Sequence, residues 1–187
     1  MIAYREITED DAASLLHWRR RRRVAQWQLS EVSDDIERQR NWIRMSRKKP
    51  DSYHWIQQYQ GVDIGHVNFN SYDPVRGVAV IGNYVGPDEL VRLHMAFLKD
   101  FMVSLIMRLN LKEINSTIID GNTIEKIMDY LGFEADPTRS SELLPDSRLV
   151  RPFRLDCEKF LRKFPVKKAA LLPMTLWEHS KGIPSFS

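Results

Sequence analysis

The sequence predicts an α/β fold of the α+β kind, with a central, mixed, mostly antiparallel sheet flanked by helices. Three observations lead there. Residues 53–59 and 64–72 are strand-length runs separated by Gln60-Gly61-Val62-Asp63, the pattern of a hairpin. Residues 78–85 and 113–119 are further strands, rich in Val and Ile. Between them Leu90, Leu93, His94, Phe97, Phe101, Leu105 and Leu109 fall mostly three or four apart, the period of a long helix crossing between strands.

The remaining elements follow in order. Residues 2–7 alternate apolar and polar and read as a strand. Thr8 is a suitable N-cap, with Glu9, Asp10 and Asp11 in the first turn, where the positive helix end favours them. That helix carries Ala12, Leu15, Leu16 and Trp18. Ser33 or Asp34 caps a second helix that points Ile36, Trp42, Ile43 and Met45 inward. Asp73-Pro74-Val75-Arg76-Gly77 is a turn. Pro87, Asp88 and Glu89 open the long helix. Asp120-Gly121-Asn122 leads into a short helix capped by Gly132. A loop at 136–147 precedes a strand at 149–155, a basic helix near 158–163 and a Pro-punctuated tail.

The chain has 187 residues, of which 43% are hydrophobic, enough for one domain with its own core. A net charge of +3 is too mild to make it a nucleic-acid binder by itself. One cysteine, Cys157, excludes an internal disulfide and fits a reducing compartment. Five dispersed histidines argue against a metal site. No apolar run is long enough to span a bilayer, and residues 1–6 lack a signal-peptide pattern. These features predict a cytoplasmic protein.

The run from residue 64 to 133 reads strand, turn, strand, long helix, strand, short helix and closes on Tyr130-Leu131-Gly132-Phe133. That order resembles the GNAT family of acyl-CoA-dependent N-acyltransferases. The opening Thr8-Glu9-Asp10-Asp11-Ala12, the Trp18-Arg19 pair, Trp27, Trp42 and Ile64-Gly65-His66-Val67 add to it. Within the family these residues look most like the amino-sugar nucleotide N-acetyltransferases of the pseudaminic-acid type. The resemblance implies a GNAT-like domain over residues 1–156. Residues 157–187 then form a basic helix and an apolar tail that packs on the same domain or on a partner.

It also implies a donor site for acetyl-CoA. A splayed central strand would present Tyr84, Val85 and Gly86 to the pantetheine arm. The family's glycine-rich pyrophosphate loop is absent, since Asp88-Glu89-Leu90-Val91-Arg92 stands in its place. Two carboxylates there repel a pyrophosphate, and a loop without glycine keeps its backbone farther from the phosphates. Arg92 is either a side-chain phosphate ligand or a solvated helix residue. Asn122 matches the family's CoA-contacting Asn and also suits a helix cap. The family's acid, a tyrosine four residues before the Gly of Gly-Phe, is here Met128. Tyr130 is the displaced candidate, although two positions along a helix is about 200° of rotation.

An acyl transfer to an amine needs a base, a donor for the carbonyl oxygen and a route for a proton to sulfur. His66, Asn68 and Asn70 alternate on one strand face, and His66 is the candidate base; a polar face packed under the first helix is the other reading. The unbroken run Arg19 to Arg23 is either a solvated helix end or, with Trp27, the recognition surface for an anionic acceptor through Arg19 and Arg22. Two functions follow. One is acetyl transfer from acetyl-CoA to a small anionic amine, with an amino-sugar nucleotide as the first candidate. The other is a catalytically inactive GNAT-fold binding or assembly module, for which the missing glycines and displaced tyrosine argue. A homodimer is compatible with either, and neither needs nucleic acid or a membrane.

Overall fold

The computed structural model describes residues 2–30 and 32–165, and the backbone of 177 and 178. The strands are β1 (Ile2–Glu6), β2 (Tyr53–Tyr59), β3 (Val62–Asp73), β4 (Val78–Val85), β5 (Glu113–Ile119), β6 (Glu134–Ala135), β7 (Glu142–Leu143), β8 (Leu149–Asp156) and β9 (Trp177–Glu178). The helices are α1 (Ala12–Arg20), α2 (Arg22–Ala25), α3 (Ile36–Lys48), α4 (Val91–Leu109), α5 (Glu125–Leu131) and α6 (Cys157–Lys163). The sheet order is β6-β8-β5-β4-β3-β2-β1-β9, with β7 also on β8. β4 runs parallel to β5 and β9 parallel to β1; the other pairs are antiparallel.

Alternation along the strands gives the sheet two faces. Trp55, Val67, Phe69, Ala79, Ile81, Ile114 and Leu155 share one core with Leu98, Phe101, Met102 and Leu105 of α4 and with Phe160 of α6. Ile56, one residue on from Trp55, joins Ile7, Ala12, Leu15, Trp18 and Ile43 beneath α1 and α3. Each fully buried aliphatic or aromatic side chain contributes about 1.5–3 kcal/mol, so the α4 face carries most of the stabilisation.

Several boundaries differ from the sequence reading for local reasons. The β2–β3 turn is only Gln60-Gly61, because Val62 and Asp63 pair with Tyr59 and Gln58. Gln60 accepts a left-handed φ of 50° to make it so tight. Asp35, not Ser33 or Asp34, caps α3: its Oδ1 accepts from the Glu37 and Arg38 amides at 2.8 and 3.1 Å. Ile43 is buried, but Met45 is 51% exposed and Ile36 37% exposed, so neither points inward as expected. Thr8 does begin the first helical segment, as a 3-10 turn at Glu9–Asp11. A second 3-10 turn at Asp88–Leu90 precedes α4.

The arginine run does not lie on one helix. Arg21 takes an extended conformation between α1 and α2, so its side chain leaves in a different direction from its neighbours. Gly132 ends α5 at a φ of 92°, which a residue with a Cβ adopts only under strain. In the apolar tail, Leu171, Leu172, Met174 and Leu176 lie outside the described residues. The backbone of Trp177 and Glu178 pairs with Tyr4 and Arg5. No helix among the described residues is long and apolar enough to cross a membrane.

Candidate active site

β4 organises the site. Its first residues pair with β5: Val78 with Glu113, Ala79 with Ile114 and Val80 with Asn115. Beyond Val80 that pairing stops. β4 nevertheless stays on β3 as far as Val85 opposite Gly65, and β5 stays on β8 as far as Ile119 opposite Val150. Each strand is therefore held from behind while the two part.

A cavity of about 310 Å³ fills the parting. Ile81, Gly82, Asn83, Tyr84 and Val85 line one side and Ser116, Thr117 and Ile118 the other. Val91, Met95, Leu98 and Met102 of α4 and Ile127 and Met128 of α5 wall it on one face of the sheet. Arg23, Val24, Trp27 and Gln28, in and after α2, wall it on the other. Arg23 is the one charged residue in the lining, and no carboxylate or histidine joins it among the described residues.

The structure distributes the sequence candidates unevenly. Tyr84, Val85, Trp27 and Asn122 line the cavity. Asn122 also accepts from the Ile124 amide at 3.1 Å through its side chain, so it shapes the turn before α5 as well. Tyr130 is 59% exposed and its backbone oxygen accepts from Lys163; Met128 lines the cavity instead. The rotation along α5 accounts for this separation. Arg92 is exposed on α4, outside the lining. Arg22 is exposed on α2. Arg19 donates to Gln28 Oε1 and Gln39 Oε1, both at 3.3 Å, and so steadies one wall of the cavity.

His66 and Asn68 lie on the α1/α3 face. His66 Nε2 is 3.1 Å from His54 Nδ1, whose other nitrogen meets Ser52 Oγ at 2.9 Å. Ser52 Oγ in turn donates to Asn70 Oδ1 at 2.6 Å. The His66 ring stacks on Tyr84 with centroids 4.7 Å apart. Burial, helped by the neighbouring His54 and Arg19, holds the His66 pKa well below its usual range. Burial also raises the Tyr84 hydroxyl. His66 Nδ1 and Tyr84 Oη are buried without a hydrogen-bond partner. Asn68 lies over Gly82, within 2.8 Å of where a Cβ would stand.

Three features were not read from the sequence. His94 is buried against the far side of β4, with Nε2 3.3 Å from Asn83 Oδ1. It fits only because residue 65 is glycine; a Cβ there would stand 2.3 Å from its Nδ1. Burial lowers the His94 pKa to about 4. Ser116 and Thr117 face the cavity because pairing with β4 has ended before them. Arg21 donates to the Gly86 carbonyl and pairs with Asp88 at 2.5 Å, just where β4 gives way to α4. The five-arginine run was the available signal, but it does not say which member faces inward.

The Acetyltransferase (GNAT) domain model matches residues 2–134. The chain belongs to the GNAT family. Among solved structures, a GNAT neighbour is the spermidine N-acetyltransferase from Vibrio cholerae in complex with CoA and spermine. It has a TM-score of 0.74 and 13% identity, over 86% of this chain and 98% of that one. The aminoglycoside acetyltransferase AAC(6')-Ib in complex with coenzyme A has a TM-score of 0.68 and 17% identity, over 88% of this chain and 99% of that one. At these identities the likeness is one of fold. No curated protein matches the sequence. The splayed pair β4–β5 is thus the GNAT feature this chain keeps, and the glycine-rich turn before α4 is the one it lacks.

Proposed function

We propose that this GNAT protein transfers an acetyl group from acetyl-CoA to the amine of a small, anionic acceptor. The observation that carries the reading is the parting of β4 and β5 around an open cavity. A strand edge inside a walled cavity leaves backbone N–H and C=O groups that need partners. An extended chain bearing amides satisfies them by lying alongside as an added strand. The pantetheine arm is such a chain, and the apolar walls from Val91, Met95 and Met128 suit its methylenes.

When bound, acetyl-CoA supplies a thioester carbonyl open to attack. The acceptor nitrogen bonds to that carbon, the carbon–sulfur bond breaks, and CoA leaves as the thiol. An amine approaching Arg23 among apolar walls meets a like charge and loses water, and both effects favour its neutral, nucleophilic form. This gives a route to a reactive amine without a carboxylate in the lining. Trp27 and Gln28 frame the acceptor opening, with Arg19 behind Gln28.

The same charge pattern favours the acceptor class. A polyamine would find Arg23 and, among the described residues, no acid in the lining, whereas an amine carrying phosphate or carboxylate would find Arg23 there, with Arg22 next to it on α2 and Arg19 behind Gln28. An amino-sugar nucleotide is one member of that class. Thermal melts with about 1 mM acetyl-CoA should show a raised Tm by mass action. Released thiol, measured with anionic amines and with spermidine, then ranks the acceptors. No melt shift overturns the donor assignment, and faster turnover of spermidine overturns the acceptor class.

A further inference from the structure

The turn before α4 lacks the glycines that would cradle a pyrophosphate, yet a guanidinium stands at this junction of β4 and α4. Residues 86–90 connect the splayed end of β4 to α4, between Val85 and Val91, which both line the cavity. The first residue of this stretch is tied to β3. The Gly86 amide donates to the Ile64 carbonyl at 2.9 Å, and a Cβ on Gly86 would stand 3.0 Å from the Ile64 backbone. Arg21 reaches it from the break between α1 and α2. One guanidinium nitrogen donates to the Gly86 carbonyl and another pairs with Asp88 at 2.5 Å. A guanidinium has five N–H donors in a planar fork, so these two bonds leave three unused among the described residues. The Arg21 side chain is 20% exposed and the Asp88 carboxylate 51% exposed, so both can be reached from solvent.

We propose that Arg21 is the phosphate clamp of the donor site and that Asp88 holds its place while the donor is away. The proposal rests on the acetyl-CoA reading above and names the residue that replaces the missing glycines. A pyrophosphate arriving at this mouth exchanges with the Asp88 carboxylate on the same guanidinium. The Gly86 carbonyl keeps Arg21 aimed throughout. Asp88 ceases to be only a repulsive charge: it orders Arg21 in the empty site, and the cost is a competition that phosphate must win.

Calorimetry on the full chain tests this with two probes, CoA and pantetheine, which lacks the phosphates. Arg21→Gln should weaken CoA about thirty-fold, the scale of a lost charge-assisted contact, and leave pantetheine within about twofold. Arg21→Lys should restore part of the CoA affinity, and added salt should erase that gain. Asp88→Asn should tighten CoA about threefold by removing the competitor. An equal loss for both probes in Arg21→Gln overturns the clamp, since it marks a purely structural residue. Wild-type protein that binds pantetheine as tightly as CoA also overturns it while leaving acetyl transfer standing; binding of neither probe removes both readings. If Arg21→Gln fails to fold, Asp88→Asn decides the matter, because unchanged or weaker CoA binding there contradicts the exchange.

Discussion

The α4 face of the sheet buries a continuous apolar cluster from Tyr4 and Trp55 through Phe101 to Leu155 and Phe160. The α1/α3 face buries a much smaller one, around Leu15, Trp18, Ile43 and Ile56, and shares its interior with His54, His66, Asn68 and Gln39. A buried polar group without a partner is costly, and both faces carry some: His66 Nδ1 and Tyr84 Oη on the α1/α3 side, Gln57 Oε1, His94 Nδ1 and Ser104 Oγ on the α4 side. The comparison separates a face whose large apolar cluster holds the fold together from a face with a much smaller one.

The strongest way to break that division is Phe101→Ala. Phe101 is fully buried at the centre of the larger cluster, and its truncation should cost about 3–5 kcal/mol in denaturant unfolding. A loss below about 2 kcal/mol would contradict the assignment of stability to the α4 face.

The next test is acid. His94 has its pKa lowered to about 4 by burial on the α4 side. Above its unfolded value of about 6.5 both states are neutral and its effect is nil. As pH falls from about 6.5 towards 4, the unfolded chain takes up a proton that the folded one refuses. Stability should drop by up to about 3 kcal/mol. His66, on the other face, is shifted in the same direction and adds to the loss. Urea melts at about pH 7.5 and 4.5, repeated on His94→Leu and His66→Phe, would apportion the loss between faces; equal wild-type stability at both pH values rejects the prediction.

Ile43→Val should cost only about 1 kcal/mol, because it removes one methyl from the smaller cluster. A much larger loss would mean that this face carries more of the fold than its apolar content indicates. Asn122→Ala should cost least, about 0.5–1 kcal/mol, by removing the side-chain bond to the Ile124 amide. Melting of the ligand-free variant reads that bond, and calorimetry with acetyl-CoA reads any further contact to the donor.

The sheet was legible where side-chain chemistry and strand geometry agree. β4 and β5 occupy the spans the sequence predicts, since runs such as Val78-Ala79-Val80-Ile81 and Ile114 to Ile119 suit little else. The parting of these strands was expected from the family resemblance, and the end of pairing after Val80 bears it out. The hairpin turn was less legible, because nothing in the sequence marks Gln60 for a left-handed backbone. Local pattern placed His66 and Asn68 on one face but could not show that His54 of β2 would complete a polar row with them. Tyr130 and Met128 lie on opposite sides of α5 as its rotation requires. The contacts of Arg21 depend on a backbone break inside a charge run and on Asp88, distant in sequence, so only tertiary structure reveals them.

The pairing of Trp177 and Glu178 with Tyr4 and Arg5 puts two of the last described residues beside the first strand. An uncovered strand edge invites pairing with another chain. During synthesis this border of the sheet stays open until the distant downstream segment leaves the ribosome. The nascent protein therefore carries this open edge until late, after nearly all of its core is already made.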